Sequence, residues 1–517
     1  MNKDFLAYKL KEYVSSGILP MHMPGHKRRV PDDIYEAIND IYSIDLTEVE
    51  GTDNLHDATG IIKDSMEFTK NIYKTNKTYY LINGSSCGIL ASIRACACIG
   101  NYKNNKSYII IAENAHFSVY NAIELFNLIP IYINIVYNEL GIADGCDVES
   151  VKELLKINKG KNIVAALITS PTYEGVVSDI KEIADILHES DIPLIVDEAH
   201  GAHLSYIKKY EDLNNAFDGR FPASALDLGA DIVVQSLHKT LPALTQTAIC
   251  HLKSNLVKQN FLDESFHIFE TSSPSYIFMA SIDACIRYMS ENSEGIYKYQ
   301  KNLGEFRKKM RHCKHIHLWQ CESKADYDFT KLVIYSDFID GITLADILRE
   351  SYNIETEMSS LRFVLAYSTV CDEKEDFDKL FDALKDIDEN FLYRENETFL
   401  NLTPALQSDT HVEIGIKNIE GTTSVLVEQT DSDYPEPFSY VIENISEGKF
   451  IANMNRRYPS TFKLTYINKN GRTIGQPFTI DLKKIINIED QINIGTIINN
   501  DGIIYIIDGD QSVNLNY

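Results

Sequence analysis

Asp231-Ile-Val-Val-Gln-Ser-Leu-His-Lys-Thr240 runs from an apolar, β-branched segment into a polar turn that carries one lysine. The run Ile232, Val233, Val234 reads as a short buried strand. Ser236, His238 and Lys239 then fall at its C-terminal end, the end at which α/β sheets bind ligands. A lysine amine there can condense with an aldehyde cofactor, and a serine and a histidine within three positions can hold a phosphate. That combination is the chemistry of pyridoxal phosphate. The string alone fits equally a lysine that only caps the strand at the surface.

Outward from this strand the chain alternates. Strands are expected at Thr78–Ile82, Tyr108–Ala112, Ile131–Ile135, Ile163–Thr169, Pro193–Asp197 and Thr247–Leu252, with helices at Cys87–Cys98, after His116, and at Val151–Ile157 and Ile180–His188. Strict alternation implies a mostly parallel sheet wound on both faces. A helix-rich stretch from Tyr276 to Cys313, then Lys331–Ser336, Thr343–Glu350, Arg362–Ser368 and Phe377–Ile387, predicts a smaller α/β unit. Beyond about Leu402 the segments turn short and alternating, separated by Gly, Asn, Asp or Pro, and predict an appended all-β domain of sandwich type. The expected division is an N-terminal arm and interface segment (1–75), a large cofactor-binding domain (76–300), a small α/β domain (301–395) and the β domain (405–517), with a linker near 396–408. An amphipathic pattern of Phe5, Leu6, Tyr8, Leu10 and Tyr13, ending at Gly17 and Pro20, predicts a short N-terminal helix.

The 517 residues, 44% hydrophobic and 24% charged, suffice for a sizeable core. A formal net charge of −26 repels nucleic acid and anionic lipid, so neither is an expected partner. No apolar run reaches the roughly 18 residues of a spanning helix, and neither end reads as a leader, which points to the cytoplasm. The nine cysteines are scattered without zinc-ligand spacing and are expected as buried, reduced thiols.

Four further stretches bear on the lysine. Asn83-Gly-Ser-Ser86 joins a strand to a helix, so Gly84, Ser85 and Ser86 offer free N–H groups and hydroxyls at the positive end of a helix dipole, a place for phosphate. Asp197 ends a strand, where a carboxylate can meet the cofactor's ring nitrogen and raise that nitrogen's pKa. Asp197, His200 and His203 are also acceptable metal ligands, but one short cluster does not complete a metal shell, and no metal is expected. His116 can stack on the cofactor ring or simply cap a helix. Thr172, in the turn Ser170–Gly175, can donate to a phenolic oxygen or belong to a plain turn.

Taken together, Pro24-Gly-His-Lys27, Asp45-Leu-Thr-Glu48, the Gly51 to His56 segment, Asn83-Gly-Ser-Ser86, Asn114-Ala-His116, Ser170-Pro-Thr-Tyr173, Asp197-Glu-Ala-His200, Ser236-Leu-His-Lys239 and Glu357-Met358 resemble the major domain of the Orn/Lys/Arg decarboxylase family, over about residues 18–390. The resemblance implies an aspartate-aminotransferase-like fold (pyridoxal-phosphate fold type I) and decarboxylation of an amino acid, most naturally a basic one. It implies that Lys239 holds the cofactor covalently, Asp197 pairs with the pyridine nitrogen, His116 stacks on the ring and Ala199 packs beneath it. It implies further that Ser85, Ser86, Ser236 and His238 hold the phosphate, with Thr172 or His200 near the phenolic oxygen. Homodimers or larger homo-oligomers with sites at the subunit interface are implied as well. Asp45, Glu48, Glu50, Asp53 and Glu357 are candidate partners for a cationic substrate, or solvated groups and helix caps. The β-rich segment after residue 400 departs from the family's usual C-terminal region. Because the same lysine and aspartate serve an aminotransferase or an aldol-type lyase, those activities remain open, as does a non-catalytic scaffold derived from such an enzyme.

Overall fold

A computed structural model of the chain describes residues 15, 17–29, 31–38, 41, 44–100, 106–207, 221–321 and 326–390, together with the C-terminal strand residues given below. The pattern at Phe5 to Tyr13 and the linker near 396–408 lie outside the described residues. Two compact units emerge: Met1–Val136 with Ala143–Leu392, and Tyr137–Ile142 with Tyr393–Tyr517.

In the first unit the strands are β1 (Leu19–Met21), β2 (Lys77–Leu81), β3 (Ser107–Ala112), β4 (Ile129–Ile133), β5 (Asn162–Thr169), β6 (Val176–Val177), β7 (Leu194–Asp197), β8 (Ile232–Ser236) and β9 (Ala248–Leu252). Seven of them form one sheet in the order β2-β9-β8-β7-β5-β3-β4. Strands β8, β7, β5, β3 and β4 pair in parallel, whereas β9 runs antiparallel to both β8 and β2. The alternation of elements implied the parallel strands; the reversal of β9 follows from its short turn after Thr240, which leaves no room for a crossover helix.

Parallel pairing needs crossovers, and the helices Gly84–Gly100, Phe117–Leu125, Val148–Ile157 and Ile180–His188 supply them. Three start on side-chain caps, with His116, Asp147 and Asp179 accepting from the amides of Ser118, Ser150 and Glu182. The helix Gly84–Gly100 starts three residues before the expected Cys87. A Cβ on Gly88 would stand 2.7 Å from Leu81 Cδ1 and 2.8 Å from Val234 Cγ1, so glycine lets this helix lie close on the sheet. Alternate strand residues Leu81, Ile109, Ile111, Leu167, Ile195, Ile232 and Val234 form the core beneath it. The opposite face, with Ile110, Ala166, Ile168, Val196 and Val233, is buried too, which is why these strands read as nearly continuous apolar runs.

After the helices Gln259–Phe269, Tyr276–Glu291 and Ser293–Met310 come β10 (Ile316–Leu318), β11 (Asp326–Tyr327), β12 (Lys331–Ser336), β13 (Ile354–Thr356), β14 (Met358–Ser359) and β15 (Val364–Tyr367). A second, antiparallel sheet has the order β10-β12-β15-β14, with helices Gly341–Tyr352 and Lys374–Asn390 in the same stretch. Two small pairings tie this region to earlier chain: β1 runs parallel with β13, and β11 antiparallel with β6. Pro20, expected as a helix stop, lies within β1.

The second unit contains β16 (His411–Gly415), β17 (Thr422–Gln429), β18 (Ser439–Ile442), β19 (Lys449–Asn455), β20 (Tyr458–Pro459), β21 (Thr461–Asn468), β22 (Phe478–Asp481), β23 (Thr496–Ile498) and β24 (Ile504–Ile506). They pair antiparallel in sheets β16-β19-β20, β18-β17-β21-β22 and β23-β24. All the described elements there are strands, as the alternating sequence predicts.

Candidate active site

Strand parity assembles the centre of the site. Asp197, Thr169 and Ser236 each stand two residues beyond a core position of β7, β5 and β8, and so share the sheet face that carries the helix Gly84–Gly100. Register confirms the alignment: Thr169 pairs with Asp197, and Asp197 with Val234. Ala248 of β9 pairs with Leu81 on one side and Ser236 on the other, which brings the helix start at Gly84 and the end of β8 to one sheet edge. Gly84 has φ +79°, a left-handed conformation that suits glycine at this turn.

Lys239 lies in the short helix Leu237–Thr240 that follows β8, and its Nζ stands 2.9 Å from His200 Nε2. Burial pulls the amine's pKa down, opposed by Asp197 and Glu357. Asp197 is buried and accepts the Ala199 amide at 3.1 Å. Burial drives its pKa up, against the pull of Lys239, the Ala199 amide and His116, so this carboxylate stands to gain from meeting a further cation. His116 caps its helix and accepts from the Ser118 amide at 3.3 Å; burial lowers its pKa, against the pull of Asp197. His238 Nδ1 donates to the Thr247 carbonyl at 3.0 Å. Thr172 Oγ1 accepts the Val176 amide at 3.1 Å, which leaves its own hydrogen to donate.

The chemistry of a phosphorylated, anionic cofactor fits this edge. Ser236 Oγ, Thr169 Oγ1 and Asn114 Oδ1 are buried without a hydrogen-bond partner, an arrangement that is costly unless a ligand completes it. Ser85 and Ser86 lie half-buried at the helix start beside the ends of β2 and β9. Among the described residues, no group of three or more His, Cys, Asp or Glu side chains could hold a metal ion. The three residues weighed as ligands have separate partners: His200 meets Lys239, His203 Nε2 meets Asp328 at 3.0 Å, and Asp197 meets the Ala199 amide.

Tyr367 and Lys331 escape a reading of the sequence as site residues, and they join residues that the sequence singles out. His200 Nδ1 stands 3.1 Å from Tyr367 Oη, and Tyr367 donates to the Tyr173 carbonyl at 2.8 Å. The Tyr173 hydroxyl donates to Glu357 Oε1, and the Met23 amide to Glu357 Oε2 at 2.7 Å. Lys27 Nζ donates to the Tyr367 carbonyl at 2.5 Å, and Gly25 N to the His238 carbonyl at 2.6 Å. A Cβ on Gly25 would lie 2.7 Å from the backbone of Leu241, so the Pro24–Lys27 segment packs directly on the turn that carries Lys239. Lys331 is fully buried with its Nζ 3.9 Å from the Tyr367 ring centre, and burial brings its pKa to about 8. A lysine opening the otherwise apolar strand Lys331–Ser336 is the one sequence signal that could have drawn attention there.

Of the candidate substrate carboxylates, only Glu357 joins this network. Asp53 accepts the amides of Asn54, Thr59, Gly60, Ile62 and Lys63, capping the helix Ile61–Tyr73. Asp45 and Glu50 are exposed, and Glu48 accepts from the Thr47 hydroxyl at 2.6 Å.

Comparison with known proteins places this geometry in a family. The sequence model described as Orn/Lys/Arg decarboxylase, major domain, matches residues 5–336. An arginine decarboxylase of Bacillus subtilis strain 168 is 32% identical over 415 residues, covering 77% of this chain and 81% of the relative. An arginine decarboxylase of Bacillus cereus is 28% identical over 463 residues, covering 87% of this chain and 93% of the relative. The constitutive lysine decarboxylase of E. coli shares the fold, with a TM-score of 0.54 at 19% identity over 70% of this chain; the match spans 55% of that longer chain.

Proposed function

The chain belongs to the Orn/Lys/Arg decarboxylase family, and from that premise we propose that it removes the α-carboxylate of arginine, giving the corresponding amine and carbon dioxide. It is a pyridoxal-phosphate-dependent decarboxylase of a basic amino acid. The observation that carries the choice of arginine is the likeness to two Bacillus arginine decarboxylases along most of their length.

The cofactor supplies the electron sink for the pair left on the substrate's α-carbon when carbon dioxide departs. Lys239 is the amine that holds it covalently, Asp197 the anion that meets its ring nitrogen, and His116 the ring that stacks on it, with Ala199 beneath. Gly84, Ser85, Ser86, Ser236 and His238 hold the phosphate; the partnerless Ser236 hydroxyl supports this assignment. Thr172, with a hydrogen left to donate, is the partner of the phenolic oxygen. Glu357, half-buried and wired to Tyr173 and Met23, is the carboxylate that meets the guanidinium, since a cation leaving water needs a charged acceptor.

The active form in this reading is a homodimer. Its support is a set of exposed large apolar side chains, Leu46, Val49, Ile61 and Phe117, the last against the His116 ring, which a second copy would cover. Nine cysteines with no disulfide among them suit a reducing cytoplasm, where the product amine would enter polyamine biosynthesis.

The test is a panel of amino acids with carbon dioxide and amine both measured. Arginine is expected to turn over fastest, and Glu357→Gln to raise KM for arginine at least about tenfold, the loss of one charge-assisted contact. Preference for a neutral or acidic amino acid, or keto acid in place of carbon dioxide, would overturn the assignment.

A further inference from the structure

The chain Tyr173 carbonyl, Tyr367 hydroxyl, His200 imidazole, Lys239 amine has a direction that its chemistry dictates. A peptide carbonyl only accepts, so Tyr367 donates its one hydrogen to Tyr173 O, 2.8 Å away. Toward His200 the same oxygen can then only accept, and Nδ1, 3.1 Å away, must carry the hydrogen. Burial above all, and then the charges of Lys239, Lys331, His116 and His238, lower the pKa of His200 well below its ordinary value and leave it a single ring hydrogen. Nε2 is therefore bare, and it faces Lys239 Nζ at 2.9 Å.

We propose that Tyr367 is a positioning residue for Lys239: acting through His200, it keeps an unprotonated nitrogen aimed at the amine and so retains the proton on Lys239 Nζ. The proposal rests on Lys239 being the reactive amine. Tyr367 suits the task because its ring is held: it is buried, Lys331 Nζ lies 3.9 Å from its ring centre, and Lys27 Nζ ties down its backbone carbonyl at 2.5 Å. Burial also raises its own pKa far above the working range, so the hydroxyl keeps its hydrogen. Burial opposes the charge on Lys239, as do the Lys331 ammonium and, when protonated, His116 and His238; Asp197 and Glu357 favour the ammonium, and so does the acceptor Nε2, which Tyr367 secures. Without the Tyr367 hydroxyl, the Nδ1 hydrogen has no acceptor and moves to Nε2, which then presents a donor to Lys239 and favours the neutral amine.

Two readouts on the full chain, prepared without cofactor, test this. The first is the pH dependence of acylation at Lys239, followed by peptide mass spectrometry: Tyr367→Phe, which keeps the ring, should lower the midpoint by about one pH unit. A midpoint that stays or rises overturns the proposal. The second needs no folded variant at position 367: nitrogen-15 spectra of histidine-labelled protein, with the His200 signals identified by their loss in His200→Gln, should show Nδ1 protonated and Nε2 bare. The opposite tautomer overturns it. Neither readout depends on which amino acid is decarboxylated, so failure of the arginine assignment and failure of this inference are separable.

Discussion

Asp197 shows how a single residue ties burial to reactivity. Its carboxylate sits at the end of a parallel strand with one amide for company, and burial makes it a stronger base than a solvated aspartate. A protonated ring nitrogen placed against it relieves that cost and keeps its positive charge, which is what a carbanion-stabilising cofactor requires. Asp197→Ala should leave the cofactor bound through Lys239 and the phosphate contacts while kcat falls by about a thousandfold or more. Absorbance of the bound cofactor measures occupancy and amine release measures turnover; near-normal turnover would remove Asp197 from this role.

At the scale of elements, the turn between β11 and β12 is fastened by one buried carboxylate. Asp328 accepts from the Thr330 amide at 3.1 Å and its hydroxyl at 2.8 Å, pairs with His203 at 3.0 Å, and lies 3.9 Å from Lys331 Nζ. Although burial alone would raise its pKa, His203, Lys331 and Thr330 hold it down at about 2. A carboxyl whose folded pKa lies below its unfolded value contributes stability above the unfolded value and loses it as pH falls through the folded one. Asp328→Asn leaves Lys331 buried beside a neutral amide and should cost about 3 kcal/mol at pH 7, the scale of breaking a buried ion pair. The gap between variant and wild type, read by urea unfolding, should narrow between pH 4 and pH 2; a constant gap would mean that the charge is not what matters.

The whole molecule divides at Leu392, and we propose that the strands beyond it form a separable unit with its own core. The turn Tyr137–Ile142, which clusters with that unit, closes on itself: Asn138 N donates to the Ile142 carbonyl at 3.0 Å and Gly141 N to the Asn138 carbonyl at 2.9 Å. A chain ending near residue 404 should therefore stay folded and take up cofactor at Lys239. Borohydride reduction followed by peptide mapping would check both points, and aggregation or label on another lysine would show that the later strands complete the enzyme.

What the sequence determined by itself is the frame of the site. Ile232 to Lys239 places a lysine, a histidine and a serine at the end of a buried strand because side-chain alternation and the turn after it are local, and the same holds for Asp197 and for the helix start at Gly84. The family motifs were legible for that reason: each is a few residues long and carries its own geometry. The linkages around Lys239 were decided by tertiary structure. His200 and Tyr367 are 167 residues apart, Tyr173 and Glu357 are 184 apart, and they meet because β6 pairs with β11 and β1 with β13, registers of two and three residues too short to leave a periodic trace. The same reason separates the candidate carboxylates. Asp53 and Glu357 look alike in the chain, yet one is enclosed by five backbone amides of its own neighbourhood and the other faces a tyrosine brought from a distant strand end. A charge's partners are set by where the backbone carries it, and for contacts this remote that path exists only once the sheets have formed.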